Sequence, residues 1–234
     1  MYAGPTSRAM LPPHPAPATR ASVRAFLVVG MLLAVPALIA HFRLGRYGLH
    51  VALNSGHTQL GDQLLPVFTE LANGWVPVIL ALVLLRKSWR TFLMMGLGTG
   101  LSAIAVQLLK HLVFAGYDRP AMFLEEMPGL QLVAGMDLHH HFSFPSGHST
   151  AAFSMCLALA VVIGNRAAAI GLAVLAALLA FSRVYLSQHF TEDILAGALV
   201  GTVVTTAVFG LLYQGRYAHD ARLDRSPFKR VASA

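Results

Sequence analysis

Three short segments of this sequence carry cationic and helix-capping residue types that could act together on a phosphate group. Arginine offers a planar fork of donors that matches phosphate oxygens, and lysine offers a compact point charge. A serine and a glycine that precede an apolar run would leave free backbone N–H groups at a helix N-terminus, which is a favourable site for an anion. The residues with these properties are Lys110, Arg119, Ser146, Gly147 and Arg183.

Two histidines and an aspartate extend this set from binding to catalysis. His189 and Asp193 are four residues apart, so they share one face if a helix begins here. A carboxylate in that position accepts the proton of one imidazole nitrogen, which leaves the other nitrogen free to attack phosphorus. His148 would then protonate the leaving alkoxide and later activate water against the phosphohistidine. Taken singly, each of these residues has a structural interpretation, such as a helix cap for Ser146.

The spacing within two of the segments resembles the superfamily that joins type 2 phosphatidic acid phosphatases with vanadium-dependent haloperoxidases. The third motif of that superfamily, Ser-Arg, five residues, His, three residues and Asp, is matched from Ser182 to Asp193. Its second motif, Pro-Ser-Gly-His, is matched from Pro145 to His148. The resemblance implies a six-helix fold, a histidine nucleophile and no required metal.

The first motif of the superfamily departs from its usual spacing. Six residues usually separate its Lys from Arg-Pro, whereas eight separate Lys110 from Arg119 here. Lys110 therefore reaches the site only if a longer turn returns it there. The resemblance covers residues 70–213.

The elements that must position these residues are membrane helices. Of the 234 residues, 56% are hydrophobic and 12% are charged, against about 25% charged residues in soluble domains. Six apolar runs approach the ~20 residues that a helix needs to cross a bilayer core. They cover 25–42, 74–85, 91–109, 149–163, 167–186 and 194–213. The sequence therefore predicts an all-α, polytopic membrane protein with a bundle of six transmembrane helices, in which Gly197 and Gly201 suit close helix contact.

The segments outside the runs divide the chain. Residues 1–23 are rich in Pro, Ala and Ser/Thr and predict a disordered N-terminal tail. Residues 24–213 would form the membrane phosphatase domain, with its core motifs in 110–193, and residues 214–234 would form a basic C-terminal tail. An irregular alternation of apolar and polar residues over 43–72 predicts short interfacial helices, and the short second run predicts a helix that begins earlier, near Glu70.

The basic residues predict the orientation of the bundle. With the N-terminus inside, 12 of the 17 Lys and Arg residues fall in inner segments, so the positive-inside rule favours cytoplasmic termini. The three motifs then face outward, toward the periplasm or exterior if the membrane is a bacterial inner membrane. The net charge is +7, but the basic residues lie between the apolar runs and do not form one stripe. This distribution argues against a nucleic-acid partner.

The residues favour an integral membrane phosphatase that hydrolyses a phosphomonoester or pyrophosphate of a lipid through a phosphohistidine. A lipid phosphotransferase would use the same nucleophile with another acceptor in place of water. A haloperoxidase is disfavoured because the resembling enzymes are soluble, and a non-catalytic transporter or scaffold because the nucleophile and its partner are both present. No metal or cofactor is expected, since three adjacent histidines, His139, His140 and His141, point in different directions.

Overall fold

The computed structural model describes residues 17–228, and this part of the chain is helical, with no β-strand among the described residues. Short 3-10 helices at Thr69–Ala72 and Pro120–Met122 and π-helical turns at Leu109–Val113 and Gly210–Gln214 supplement the α-helices. The α-helices are α1 (Pro17–Asn54), α2 (Gln59–Phe68), α3 (Trp75–Leu85), α4 (Trp89–Leu108), α5 (Gly147–Ile163), α6 (Arg166–Tyr185) and α7 (Thr191–Phe209).

Four helical segments within residues 17–228 are long and apolar enough to cross a membrane, namely Ala18–Asn54, Trp89–Val113, Arg166–Tyr185 and Thr191–Gln214. The pair Gln59–Ala72 and Trp75–Leu85 is bent by 52° and makes a fifth if it is one broken span. The 17 residues of α5 extend about 26 Å, less than the ~30 Å hydrocarbon core. The all-α membrane fold is confirmed with four or five candidate spans, whereas a sixth crossing stays a prediction.

Helix α5 lies at the centre of the bundle, where it contacts α1, α4, α6 and α7. Helix α7 approaches α5 closely at two glycines, where α7 carries no side chain. A Cβ at Gly201 would lie 2.5 Å from the Thr150 carbonyl oxygen, and one at Gly197 would overlap the Ser146 carbonyl oxygen. The prediction that these two glycines allow close helix contact is confirmed, and the contact fixes the first turn of α5 against α7.

The predicted N-terminal tail needs a correction for residues 17–23. Helix α1 begins at Pro17, where Ser22 is buried and donates to the Ala18 carbonyl oxygen at 2.9 Å. Val23 and Phe26 are buried in the hydrophobic core, so this segment is fixed by packing that its composition did not indicate. Residues 1–16 of the predicted tail lie outside the described residues.

Two helix breaks shape the segment between the first two apolar runs. Gly45 has a left-handed backbone (φ 68°) that turns α1 before its last residues, a conformation for which glycine is suited. The chain breaks again at Asn73 and Gly74, so α3 begins at Trp75 and not near Glu70 as predicted. The interfacial position of residues 43–72 stays a prediction.

The C-terminal segment folds back onto the start of α4. The buried Arg90 guanidinium donates to both Asp224 carboxylate oxygens at 2.6 and 3.0 Å and to the Tyr217 carbonyl oxygen at 2.9 Å. The Trp89 N–H donates to the Arg225 carbonyl oxygen at 3.1 Å. The predicted basic tail is therefore bonded to α4 through residues 217–225, at the end of the bundle opposite the three motifs; residues 229–234 lie outside the described part.

Candidate active site

His189 and Asp193 meet at the start of α7, as their spacing predicts. His189 lies in the turn between α6 and α7, and its Nδ1 is 3.3 Å from Asp193 Oδ2. The same carboxylate oxygen accepts from the Phe190 N–H at 2.9 Å, which caps the helix. No residue that the structure describes forms a hydrogen bond with His189 Nε2. One imidazole nitrogen is therefore held by the carboxylate, and the other is available to a substrate.

Ser143 completes this pair and was missed by the sequence analysis. Its hydroxyl donates to Asp193 Oδ2 at 2.5 Å and lies 3.3 Å from His189 Nδ1. Its own N–H donates to the Tyr117 carbonyl oxygen at 2.8 Å. No spacing pattern singles out a serine three positions before Ser146, because the contact depends on how the 114–146 loop folds over α7.

Three buried or partly buried cations surround His189. Lys110 and Arg183 are 8% and 6% exposed, and the charges of Lys110, Arg119 and Arg183 all act on the imidazole. Lys110 reaches the site through the π-helical turn at Leu109–Val113, a type of turn that is frequent at functional sites. The long spacing of the first motif therefore does not remove Lys110 from the site.

The two arginines differ in how they are held. Arg119 donates from Nε to the His141 carbonyl oxygen at 3.0 Å and from Nη1 to the Gln188 carbonyl oxygen at 3.1 Å. Arg183 donates only from Nη1, to Thr69 Oγ1 at 3.3 Å, and its buried Nε has no acceptor among the described residues. Since a buried charged donor without a partner is costly, the free edge of Arg183 indicates an anion site.

The predicted helix N-terminus is present at Ser146–His148. Ser146 caps α5, where its Oγ accepts from the Ser149 N–H at 3.4 Å, and its own N–H donates to the Asp193 carbonyl oxygen at 2.9 Å. Gly147 faces open space, with no atom within 4 Å of an added Cβ. His148 is half-buried, and its side chain makes no hydrogen bond to any residue in the described range. It lies near Arg183 and His189, whose charges act on it.

The histidine triplet has a positional role in this structure. The His140 carbonyl oxygen accepts from the Arg119 N–H at 2.8 Å, and His141 Nδ1 lies 2.7 Å from Asp118 Oδ1. Among residues 17–228, no group of three His, Cys, Asp or Glu side chains is placed to hold a metal ion. The triplet thus contributes mainly backbone oxygens that orient Arg119.

Comparison with known proteins assigns this chain to a family. A family model of the PAP2 superfamily matches residues 91–216, which is more than half of the chain and includes all three motifs. The chain belongs to the PAP2 superfamily. The resemblance inferred from the motifs is thereby confirmed.

Relatives of this PAP2 protein include two bacterial enzymes. It is 25% identical to undecaprenyl-diphosphatase BcrC of Bacillus subtilis over 159 residues, which cover 68% of this chain and 76% of that protein. It is 34% identical to putative undecaprenyl-diphosphatase YbjG of Escherichia coli over 102 residues, which cover 43% of this chain and 50% of that protein. The match to the second relative is thus limited to half of its length.

Two solved structures share the fold of this PAP2 protein. The crystal structure of Aquifex aeolicus LpxE aligns with a TM-score of 0.62 and 26% identity, over 70% of this chain and 94% of that one. A transmembrane PAP2 type phosphatidylglycerolphosphate phosphatase from Bacillus subtilis aligns with a TM-score of 0.58 and 22% identity, over 81% and 94%. Together with the family, these similarities make the chain an integral membrane enzyme, a lipid phosphoric ester hydrolase.

The turn that carries His189 in this PAP2 protein is held by α1, which sequence analysis did not include in the site. His50 Nε2 lies 3.2 Å from the hydroxyl of Ser187, a residue with a left-handed backbone (φ 51°). Arg46 donates to Glu192 Oε1 at 2.7 Å and lies over the Phe190 ring, 4.4 Å from its centroid. These contacts fix the residues on both sides of His189. The only sequence signal is the presence of polar residues after the first apolar run.

A pair of glycine variants of the PAP2 protein should separate an anion pocket from helix packing. We expect Gly147→Ala to lower kcat/KM at least about 10-fold without loss of thermal stability, because its methyl group would occupy open space beside His148. Gly197→Ala should instead lower the unfolding temperature, because its methyl group would displace the Ser146 carbonyl oxygen. The checks are kinetics and thermal unfolding in detergent. Unchanged kinetics in Gly147→Ala would contradict an anion pocket at the start of α5.

The stability of the PAP2 protein should fall at acidic pH through His189. Burial, together with the positive charges of Arg119, Arg183 and Lys110, holds the pKa of His189 well below its ordinary value. A histidine in the unfolded chain takes up a proton near pH 6.5. Between the two pKa values the unfolded state binds more protons, so the free energy of unfolding decreases as the pH falls.

The corresponding measurement compares thermal unfolding at pH 7.5 and pH 5.5. On acidification, the free energy of unfolding should fall more in wild type than in His189→Gln. The difference should be at most about 1.4 kcal/mol for each pH unit below the pKa of histidine in the unfolded chain. The other histidines are the same in both proteins and cancel in the comparison. Equal losses in the two proteins would show that His189 does not resist protonation in the folded state.

Proposed function

We propose that this membrane lipid phosphatase cleaves a phosphomonoester or pyrophosphate of a lipid through a phosphohistidine on His189. The observation that carries the proposal is the convergence of Lys110, Arg119 and Arg183 on an imidazole whose Nε2 is unpartnered among the described residues. Arg183 adds a buried Nε without an acceptor. A phosphate dianion would satisfy both the charge and the missing hydrogen bond.

Substrate binding would be mainly electrostatic. The terminal phosphate would occupy the space between the three cations and the N-terminus of α5, where the backbone of Gly147 faces open space. The free N–H groups of that helix end and the two guanidinium groups would hold its oxygens. Charge that develops on the phosphoryl oxygens in the transition state would be stabilised by the same groups.

The chemical steps would need two histidines. His189 Nε2 attacks phosphorus while Nδ1–H donates to Asp193, and the bond from phosphorus to the leaving oxygen breaks. His148 gives its proton to that oxygen, which leaves as the lipid alcohol or, from a pyrophosphate, as the lipid monophosphate. His148 then takes a proton from water, which attacks the phosphohistidine and releases inorganic phosphate.

The names of the relatives favour a polyprenyl diphosphate within this substrate class. Both sequence relatives are called undecaprenyl-diphosphatases, one of them putatively. The distribution of basic residues along the chain supports cytoplasmic termini and a site on the opposite side of the membrane, which is the periplasm or exterior if the membrane is a bacterial inner membrane. The described ends of the chain both lie opposite the site, which agrees with that orientation: Thr19 lies close to Gly164, and Trp89 is bonded to Arg225.

The test is phosphate release by the purified protein in detergent with EDTA. The panel would contain phosphatidic acid, phosphatidylglycerophosphate, a polyprenyl diphosphate, a polyprenyl monophosphate and a phosphorylated saccharolipid. We expect EDTA-resistant release, highest from the polyprenyl diphosphate. Release that EDTA abolishes would contradict the proposed mechanism. Consumption of the lipid phosphate only when an alcohol acceptor is added, with the phosphorylated alcohol as product in place of inorganic phosphate, would support a phosphotransferase instead.

A further inference from the structure

An apolar cavity of about 660 Å³ lies between α1, α6 and α7. Its rim includes Met31 of α1, Leu178 of α6 and Leu199 of α7, all exposed on the outer surface of the bundle. In a bilayer this surface faces lipid, so the cavity is a lateral groove that hydrocarbon chains can reach without crossing water. We call it the α1/α6/α7 groove.

Small residues line the walls of the groove, and larger side chains line its ends. On α1 the wall is formed by Gly30, Ala34 and Ala37, at helical spacing, and the opposite wall includes Ala177 and Ala198. The larger side chains that line the two ends are Phe26 and Phe153 at one end and Leu49 and Leu53 at the other. Small residues usually let membrane helices approach closely. Here the same residues leave an unfilled channel.

One end of the groove adjoins the nucleophile. Thr191 and Ile194 line the groove, and they lie in the first turn of α7 on either side of Asp193. Thr191 is 5% exposed, and its buried hydroxyl oxygen has no hydrogen-bond partner among residues 17–228. A buried hydroxyl without a partner is unfavourable. The Thr191 hydroxyl is therefore available to a polar atom of a bound molecule where the groove meets the site.

The length of the groove fits a long chain. From Phe26 to Ala40, α1 rises about 21 Å at 1.5 Å per residue. Half of a bilayer hydrocarbon core is about 15 Å. A chain that lies in this groove with its polar end at Thr191 would therefore reach past the middle of the membrane.

We propose that the α1/α6/α7 groove holds the hydrocarbon chain of the substrate, with its polar junction at the Thr191 hydroxyl and its phosphate at His189. The inference rests on the proposed function, because it assigns the chain of that same lipid. The shared chemistry is a long hydrocarbon attached to a terminal phosphate, whether the chain is acyl or polyprenyl. α1 then forms one wall of the substrate site in addition to anchoring the bundle.

The first test fills the groove at two depths and measures chain-length dependence. Ala40→Trp would block the end near the site, and Gly30→Trp the far end, where an added Cβ makes only an ordinary contact with Phe153. Leu32→Trp is the matched control, since Leu32 is exposed on α1 and does not line the groove. The substrates are two series of increasing chain length, diacyl phosphatidic acids and prenyl diphosphates.

The two blocking variants should give different length limits. We expect Ala40→Trp to lower kcat/KM at least 10-fold for all but the shortest chains, and Gly30→Trp to do so only for the longest. The control should match wild type, and the series with the larger effect identifies the chain type. Wild-type length dependence in both blocking variants would overturn the proposal, as would an equal loss at every length in properly folded protein.

The second test locates the chain without turnover. His189→Ala would be labelled with a phosphatidic acid, and separately with a prenyl diphosphate, each carrying a diazirine at the chain end. The proposal would be supported by labels on groove residues of α1, α6 or α7. An excess of unlabelled phosphatidic acid or prenyl diphosphate should remove these labels, whereas phosphatidylcholine should not. Labels elsewhere, or equal competition by phosphatidylcholine, would overturn it. Failure of the proposed function would appear separately, as absent turnover by wild type.

Discussion

His189→Ala should lower kcat by at least about 10⁴-fold while the protein still inserts and unfolds at a temperature close to that of wild type. The size follows from the loss of a nucleophile, after which only charge stabilisation by the surrounding cations remains. The fold should tolerate the change because His189 lies in a turn whose backbone is held independently of its side chain. The carbonyl oxygen of Arg183 accepts from the N–H groups of Gln188 and His189 at 2.9 and 3.2 Å.

Two measurements check this expectation. The first is steady-state phosphate release beside His219→Ala, which removes an exposed histidine of the C-terminal segment and should keep wild-type activity. The second measurement stops the reaction rapidly without acid and then detects radiolabelled phosphoprotein. This species should be present in wild type and absent in His189→Ala. Turnover within 10-fold of wild type in His189→Ala would exclude this residue as the nucleophile.

Asp193→Asn should slow the reaction by about 10³–10⁴-fold with little change in stability, the second largest effect that we expect. The asparagine oxygen can still accept from the Phe190 N–H and cap α7. It cannot also accept from Ser143 and hold the Nδ1 proton of His189 as a carboxylate does, so the imidazole loses its orientation and its stabilising charge.

The matched control for this variant is Glu192→Gln. It removes a negative charge one residue away, and its glutamine oxygen can still accept from Arg46, so the contact that holds this turn is retained. We expect its kcat to remain within a few-fold of wild type. If Asp193→Asn and Glu192→Gln have equal activity, Asp193 acts as a helix cap alone, and the interpretation of the His–Asp pair as catalytic is wrong.

The contact between His189 and Asp193 was predictable because it is local. His189 lies two residues before α7 and Asp193 lies in its first turn, so a separation of four positions across the start of the helix brings the two side chains together. The same holds for Ser146 as the cap of α5, since a serine before an apolar run satisfies free backbone N–H groups in any tertiary context. The apolar runs were predictable because the bilayer demands length and hydrophobicity from each span.

Other parts of the site depend on long-range packing and left little trace in the sequence. Ser143 reaches Asp193 across 50 positions of chain, and Arg119 is oriented by carbonyl oxygens, which every residue type carries. The position of Lys110 depends on a π-helical turn that the motif spacing could not specify. In each case the deciding contact is with backbone or with a residue distant in sequence, so pattern analysis had no signal to use.

The helical class, the membrane environment and the residues able to perform phosphoryl chemistry all follow from the sequence, because hydropathy and side-chain types are local properties. The tertiary structure decided which donors remain unpaired, where Arg183 Nε and the Thr191 hydroxyl lack partners among the described residues. It also decided that α1, α6 and α7 enclose a groove whose walls are lined by small residues. Unpaired donors and unfilled space are relations between elements, and only the folded chain defines them.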